Sequence, residues 1–223
     1  MAPSWENINV PHEKIDVVYN GVNVHNFDSN VDGGKIKQKL GIGILDPMVL
    51  FAGRMVHQKG PDLLIEAVRD ILDSYPNAKF VFAGDGGMRA HLERRCGELG
   101  IYHAMRFLGF CMGDRLRDLY KTCDVVCVPS RNEPFGIVIL EAWSAGKPFV
   151  VSRNGGPAEF VWHDVTGLQI FDYPSSIAWG IKKIFDNFEH ARWMGKNGRI
   201  AAETAFSWDS IADQVLCVYN KIL

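Results

Sequence analysis

The chain has 223 residues, 47% of them hydrophobic, and 24 Lys plus Arg nearly balance 26 Asp plus Glu for a formal charge of −2. That hydrophobic share excludes a disordered chain, and the near-neutral charge leaves no general field for nucleic acid or an anionic membrane. No apolar run approaches the roughly 18 residues of a spanning helix, and the opening MAPSWENINVPHEK has neither the basic start nor the apolar core of a secretory signal.

The first 47 residues, with NGVN at 20–23 and VDGGK at 31–35, read as an arm or linker. Short apolar runs then alternate with stretches of helical period. MVLFAG (48–53) predicts a buried strand. In PDLLIEAVRDILDSYP the residues Leu63, Leu64, Ala67, Val68, Ile71 and Leu72 recur at helical spacing. Pro61 suits the first turn of that helix and Pro76 closes it. KFVFAG (79–84) predicts a strand, and MRAHLERRCGELG a helix ended by Gly100. MRFLGF (105–110) and GDRLRDLYKTC repeat the alternation, as do DVVCVPS (124–130) and GIVILEAWSAG (136–146). PFVVS (148–152), a short helix at PAEFVW, and the strand TGLQIF (166–171) follow. Three helices end the chain: SSIAWGIKKIFDNF, HARWMGKNGRIAAETAF and WDSIADQVLCVYNKIL, the last with Ser207 as N-cap. Strand–helix alternation with apolar strands predicts a single α/β domain, a Rossmann-like doubly wound parallel sheet with helices on both faces. Ligands then gather beyond the carboxyl ends of the strands.

The five cysteines (96, 111, 123, 127 and 217) are odd in number, mostly in apolar surroundings, and lack the second pair that a metal site needs. They read as buried free thiols in a reducing compartment. With no N-x-Ser/Thr acceptor in the chain, this predicts a cytoplasmic protein. Cys123 and Cys127 are expected on one face of a strand. The tryptophans Trp143, Trp162, Trp179, Trp193 and Trp208 fall at helical positions and read as core.

Three strand-to-helix loops carry candidate chemistry. Gly53 to Gly60, sequence GRMVHQKG, sets Arg54 and Lys59 before a helix N-terminus. Two cations with helix amides make an anion site suited to a diphosphate; a polar surface loop is the alternative. His57 in this loop reads as solvated. In SRNEPFG (130–136), Glu133 can accept from sugar hydroxyls, and the amides of Phe135, Gly136 and Ile137 can meet a phosphate or sugar group. Gly136 lets a ligand approach the backbone. Glu141, between Leu140 and Ala142 in an apolar helix, needs a polar partner. NGGPAE (154–159) reads either as a close backbone approach or as a plain tight turn. Gly84-Asp85-Gly86-Gly87 reads as a turn with a capping role, because Arg89 stands where a dinucleotide fingerprint needs its third glycine.

Taken together, NGVNVHNF, GRMVHQKG, FLGF, DVVCVPSRNEPFGIVILEAWSAGKPFVVS, NGGPAEFVWHDVTGL and FSWDSIADQVLCVY resemble, in order, the donor-binding C-terminal half of retaining glycosyltransferases of the GT-B fold, family four. The resemblance runs from about Lys14 to the end and divides the chain into an interdomain arm, 1–24, and a donor domain, 25–223. Glu133 and Glu141 match that family's E-x7-E pair. The resemblance implies that Arg54 and Lys59 bind the donor diphosphate and stabilise the leaving nucleotide, as catalytic groups together with Glu133. Glu133 would bind the sugar, with the backbone at Phe135, Gly136 and Ile137. Glu141 would bind the ribose, and Gly53, Phe110 and Cys111 would line the nucleotide side. It implies a nucleotide-diphosphate sugar as substrate, no metal and no other cofactor, because two cations supply the charge stabilisation a metal would. It also implies a partner N-terminal acceptor-binding domain outside this chain, so that the chain alone binds donor and transfers poorly. An apolar strip on the last helix, with Trp208 or Val215, would face that domain. The alternatives are an epimerase-like enzyme of related fold and a non-catalytic nucleotide-sugar-binding module.

Overall fold

The computed structural model describes residue 11 and residues 14–222. The opening MAPSWENINV, with residues 12–13 of the arm, lies outside that range. Six strands, β1 (Met48–Ala52), β2 (Lys79–Ala83), β3 (Met105–Gly109), β4 (Val125–Val128), β5 (Phe149–Ser152) and β6 (Gly167–Ile170), form one sheet in the order β3-β2-β1-β4-β5-β6. Every pairing is parallel. Each strand falls within the run expected for it. β1 is buried at all five positions, β4 and β5 at all four, as a parallel sheet covered on both faces requires. Phe51 stacks on Phe82 at 5.0 Å, and Phe82 lies 5.1 Å from Phe107.

The helices are α1 (Gly33–Lys39), α2 (Pro61–Ser74), α3 (Arg89–Glu98), α4 (Gly113–Thr122), α5 (Ile137–Ser144), α6 (Pro157–Phe160), α7 (Pro174–Asp186), α8 (Phe188–Ala205) and α9 (Trp208–Ile222). α2 packs against α3 and α7, while α1 packs on α4 and α5 on α8. Ser207 caps α9 as expected, its Oγ accepting from Ser210 N at 3.2 Å. The chain reverses direction of strand order between β1 and β4, which opens a crevice there.

Four expectations need correction. Residues 22–46 pack into the domain and are no arm or linker: Asp32 caps α1 by accepting from Lys35 N at 3.1 Å. Buried Lys37 donates to Asp46 O at 2.7 Å and Ile44 O at 3.3 Å. Val22 N donates to Phe206 O at 2.8 Å, and Val24 and Phe27 join the core. A seven-residue helix with three lysines shows too little apolar periodicity to be seen in sequence. Of the five tryptophans named above, only Trp143 is core. It is fully buried with Nε1 donating to Thr166 O at 2.8 Å, whereas the others are 44–67% exposed. Trp162 is not helical at all. Cys123 ends α4 instead of sharing a strand face with Cys127. Asp85 does not cap α3; it holds its own turn, accepting from Gly86 N at 2.7 Å and pairing with Arg89 at 3.1 Å. The strip on α9 is present at Trp208, Leu216 and Tyr219, while Val215 is half-buried.

Candidate functional site

The carboxyl ends of β1 and β2 meet so closely that only glycine fits. A Cβ on Gly84 would lie 1.9 Å from Gly53 O, and Gly84 has φ +154°. Gly53 N donates to Ala83 O at 3.0 Å and Met55 N to Asp85 O at 2.8 Å. The side of Gly53 where a Cβ would point is open space. There a cavity of about 220 Å³ is bounded by Gly53, Arg54, Phe110, Cys111, Tyr120 and Glu141 among others. Five residues expected at a nucleotide site, from two loops and one helix, thus border one space. Arg54 is exposed, and its side chain has no hydrogen-bond partner among the described residues.

Lys59 and Glu133, from the loops that follow the adjacent strands β1 and β4, come together. Lys59 Nζ lies 2.6 Å from Glu133 Oε2, with side chains only 20% and 8% exposed. Ser130 Oγ donates to the same oxygen at 3.1 Å. Two residues read as separate donor contacts therefore form one ion pair. The ammonium keeps further protons to donate, and the second carboxylate oxygen keeps its lone pairs.

Their loops are locked by groups the sequence did not flag. Arg131 donates to both oxygens of Asp62, at 2.9 and 2.6 Å, and to His57 O at 2.7 Å. Gln58 donates to Asn132 O at 2.9 Å. Burial raises the Asp62 carboxyl, but the Arg131 hydrogen bond and charge outweigh it and hold that carboxyl below the usual range. The sequence offers a hint only afterwards: Asp62 sits in the first turn of α2, where an acid is ordinary. Gly155 and Gly156 resolve the third loop's alternatives. Cβ atoms there would lie 2.2 Å from Glu133 O and 2.1 Å from Pro134 O. The close approach is to the backbone carrying Glu133, and Gly156 N donates to Glu133 O at 2.9 Å.

The remaining expected residues divide. Gly136, at φ +94°, turns the chain into α5. Phe135 turns its ring into an aromatic cluster with Tyr19 at 5.7 Å and Phe160 at 5.1 Å, so only its backbone can serve the site. Ile137 directs its half-exposed side chain to a neighbouring cavity of about 330 Å³ beside Asn23 and Trp208. Glu141 has the partner its apolar helix demanded: Tyr120 Oη donates to its Oε2 at 2.7 Å. Burial pushes the Glu141 carboxyl above its ordinary value, partly offset by that hydrogen bond. Tyr120, itself fully buried against the edge of Phe27 at 6.0 Å, is pushed well up by burial and the Glu141 charge. Among the described residues no cluster of three or more His, Cys, Asp or Glu is placed to hold a metal ion.

Comparison with known proteins gives the family and the fold. The sequence profile of "Glycosyl transferases group 1" matches residues 33–201. The chain belongs to the group 1 glycosyl transferases. A glycosyltransferase of Methanocaldococcus jannaschii is 44% identical over 216 residues, covering 95% of this chain and 55% of that protein. A D-inositol 3-phosphate glycosyltransferase of Acidothermus cellulolyticus is 31% identical, covering 95% and 49%. Anabaena HepE, solved in complex with UDP, superposes with a TM-score of 0.89 at 27% identity, covering 97% of this chain and 60% of that one. The C-terminal domain of LpcC, a group 1 family protein of Francisella tularensis, shares the fold at TM-score 0.75 and 21% identity, with all of that domain and 84% of this chain covered. The group 1 chain described here thus has the fold of a GT-B C-terminal domain. It spans about half the length of the curated relatives it matches. No described helix is long and apolar enough to cross a membrane.

Proposed function

We propose that this group 1 chain binds a nucleotide-diphosphate sugar, with UDP as nucleotide, and serves transfer of the sugar with retention at its anomeric carbon. The observation that carries the reading is the Lys59–Glu133 pair at 2.6 Å after the adjacent strands β1 and β4, in a chain where Arg54 and Glu141 line one cavity at the same end of the sheet. A diphosphate spanning Arg54 and Lys59 would meet two cations at the N-terminal side of α2. Charge that grows on the leaving diphosphate is then stabilised by groups already in place, without a metal. Glu133 and the backbone at Phe135, Gly136 and Ile137 take the sugar, Glu141 the ribose, and the Phe110–Cys111 rim the base. Complexes of the neighbour HepE with UDP and with UDP-glucose, at 27% identity, support the choice of nucleotide.

Transfer at a full enzyme rate requires an acceptor-binding domain of the size that the rest of the relatives' length provides; the chain by itself holds the donor and transfers slowly. A reducing compartment, the cytoplasm, is the proposed location, supported by the free, buried thiols of Cys96, Cys111, Cys123 and Cys127. Saturation-transfer NMR with UDP-glucose tests the assignment of residues. Hexose protons should lose their contact in Glu133→Gln and ribose protons in Glu141→Gln. Loss of both sets equally in both variants would refute the division of roles, and appearance of an epimerised sugar would favour an epimerase.

A further inference from the structure

A second cavity, of about 320 Å³, lies at the carboxyl ends of β5 and β6 and shares no residue with the donor crevice. Aromatic faces dominate it. Phe171 and Tyr173 stack at 5.8 Å with their planes 7° apart, and both are about half exposed. Across from them, the His163 ring stacks on Trp179 at 6.3 Å and 10°. Phe171, Tyr173 and Trp179 remain 50%, 49% and 44% exposed, with Lys183 Nζ lying 5.5 Å from the Trp179 centroid, and their exposed surface is a platform for an apolar face of a ligand.

Placed polar groups accompany the rings. Arg153 lays its guanidinium carbon 4.9 Å from the Phe171 centroid, and no carboxylate pairs with it among the described residues. Its N–H donors stay free in the ring plane, the arrangement suited to a forked contact with an anion. His163 Nδ1 accepts from Gln169 N at 3.0 Å, which leaves Nε2 as the donor. Burial, followed by the charges of Lys183 and Arg153, pushes that imidazole below its ordinary value and keeps it neutral near pH 7. Gln169 spends its amide protons on Val161 O at 2.7 Å and Ala158 O at 3.5 Å, so its side-chain oxygen remains an acceptor. Ser176 Oγ accepts from Phe171 N at 3.0 Å and still has its own proton to give. Of the acids close by, Asp164 is bound by Lys183 and His190, each at 3.0 Å, and the charge of Asp172 acts on Arg131.

Ring faces, mixed donors and acceptors, and one uncompensated cation match the surface of a pyranose that carries a carboxylate. We propose that this cavity is a second saccharide-binding site, selective for acidic sugars of the hexuronate class. Pyranose C–H faces stack on Phe171, Tyr173 and Trp179, hydroxyls meet Gln169, Ser176 and His163, and the carboxylate meets Arg153. Neighbouring strands stand about 4.8 Å apart, so roughly 10 Å separates the end of β4, where Glu133 lies, from the end of β6. A glycan held here therefore runs along the same edge of the sheet as the donor crevice. The inference does not rest on the donor reading.

Calorimetric titration of the 223-residue chain with tetragalacturonate, the neutral cellotetraose, and inorganic phosphate separates the alternatives. The acidic tetrasaccharide should bind, with at least tenfold loss in both Arg153→Ala and Trp179→Ala, while UDP affinity and the melting midpoint of these surface variants stay unchanged. In the NMR titration of His163, bound tetragalacturonate should raise the imidazole pKa, as a carboxylate placed beside it must. Equal affinity for cellotetraose overturns the acidic preference. Phosphate binding as tight as that of the saccharide, insensitive to Trp179→Ala, overturns the saccharide site. Absence of heat and of any His163 shift at millimolar tetragalacturonate overturns the proposal altogether.

Discussion

Replacing Tyr120 by Phe removes one oxygen and keeps the ring packed on Phe27. It takes from Glu141 the hydrogen bond that Tyr120 Oη donates at 2.7 Å. A hydrogen bond to a charged group is worth about 1.5–3 kcal/mol net. Glu141 is not wholly shut off from the cavity, so the lower end applies, about tenfold in the balance between ionised and neutral carboxyl at 1.4 kcal/mol per decade. Burial already raises the Glu141 carboxyl, and the variant raises it further. A ribose hydroxyl needs the ionised form as acceptor. UDP affinity should therefore fall by up to about tenfold, and by more at pH 5.5 than at pH 8. Stability follows the opposite course. A raised carboxyl means that folding takes up a proton; the stability this contributes is present below the unfolded value and lost as pH rises through the folded one. The variant's deficit in urea unfolding should thus be small at pH 4.5 and reach about 1.5 kcal/mol at pH 8. Calorimetry and urea melts at these pH values give both curves. Deficits of equal size at all pH values, or both growing in the same direction, would refute the coupling of Tyr120 to Glu141.

Three further outcomes follow from the geometry. Gly60→Ala should cost about 3 kcal/mol in urea unfolding, because the residue has φ +66° and the new Cβ would lie 2.2 Å from Pro129 O; a loss under about 1 kcal/mol would contradict the contact. Asp62→Asn should cost about 1 kcal/mol at pH 7, discounted for partial exposure of the Arg131 pair. Asp62 is held low, so its contribution is present above the unfolded value and lost as pH falls through the folded one. The variant's deficit should therefore vanish in acid, and a pH-independent deficit would count against the pair. A thiol reagent at pH 7.4 should label Cys217 rapidly in the native chain and all five cysteines in denaturant. Burial lifts Cys96 and Cys123 to about 12, and the thiolate is the reactive form; fast labelling of a second native thiol would contradict their burial.

The six strands were legible because each is a short, largely apolar run near glycine or proline signals, and β1, β4 and β5 are buried at every position, a pattern that local sequence carries. Gly60, Gly84 and Gly136 were legible as glycines but not as contacts, since the 1.9 Å approach of Gly84 to Gly53 O depends on two strands lying side by side. Glu141 announced that it needed a partner, yet nothing marked Tyr120, 21 residues earlier on another helix. The Arg131–Asp62 clamp spans 69 residues and was likewise invisible. The tryptophans misled because helical position says which element a residue occupies but not which face of it is covered. Asp32–Lys39 was missed for the opposite reason: its helix is held by a cap and by Lys37's contacts, not by an apolar stripe.

The central claim is that Arg54, Lys59, Glu133 and Glu141 bound one nucleotide-sugar site, and thermal unfolding with UDP-glucose tests it most directly. At a ligand concentration about 100 times its dissociation constant, binding adds roughly 2.7 kcal/mol. In a chain of this length that raises the midpoint by about 5–10 °C. The account predicts this rise with UDP and UDP-glucose, its absence with NAD, and its loss in Lys59→Ala, whose own midpoint without ligand remains measurable. An unchanged midpoint at millimolar UDP-glucose, or an undiminished rise in Lys59→Ala, would contradict it.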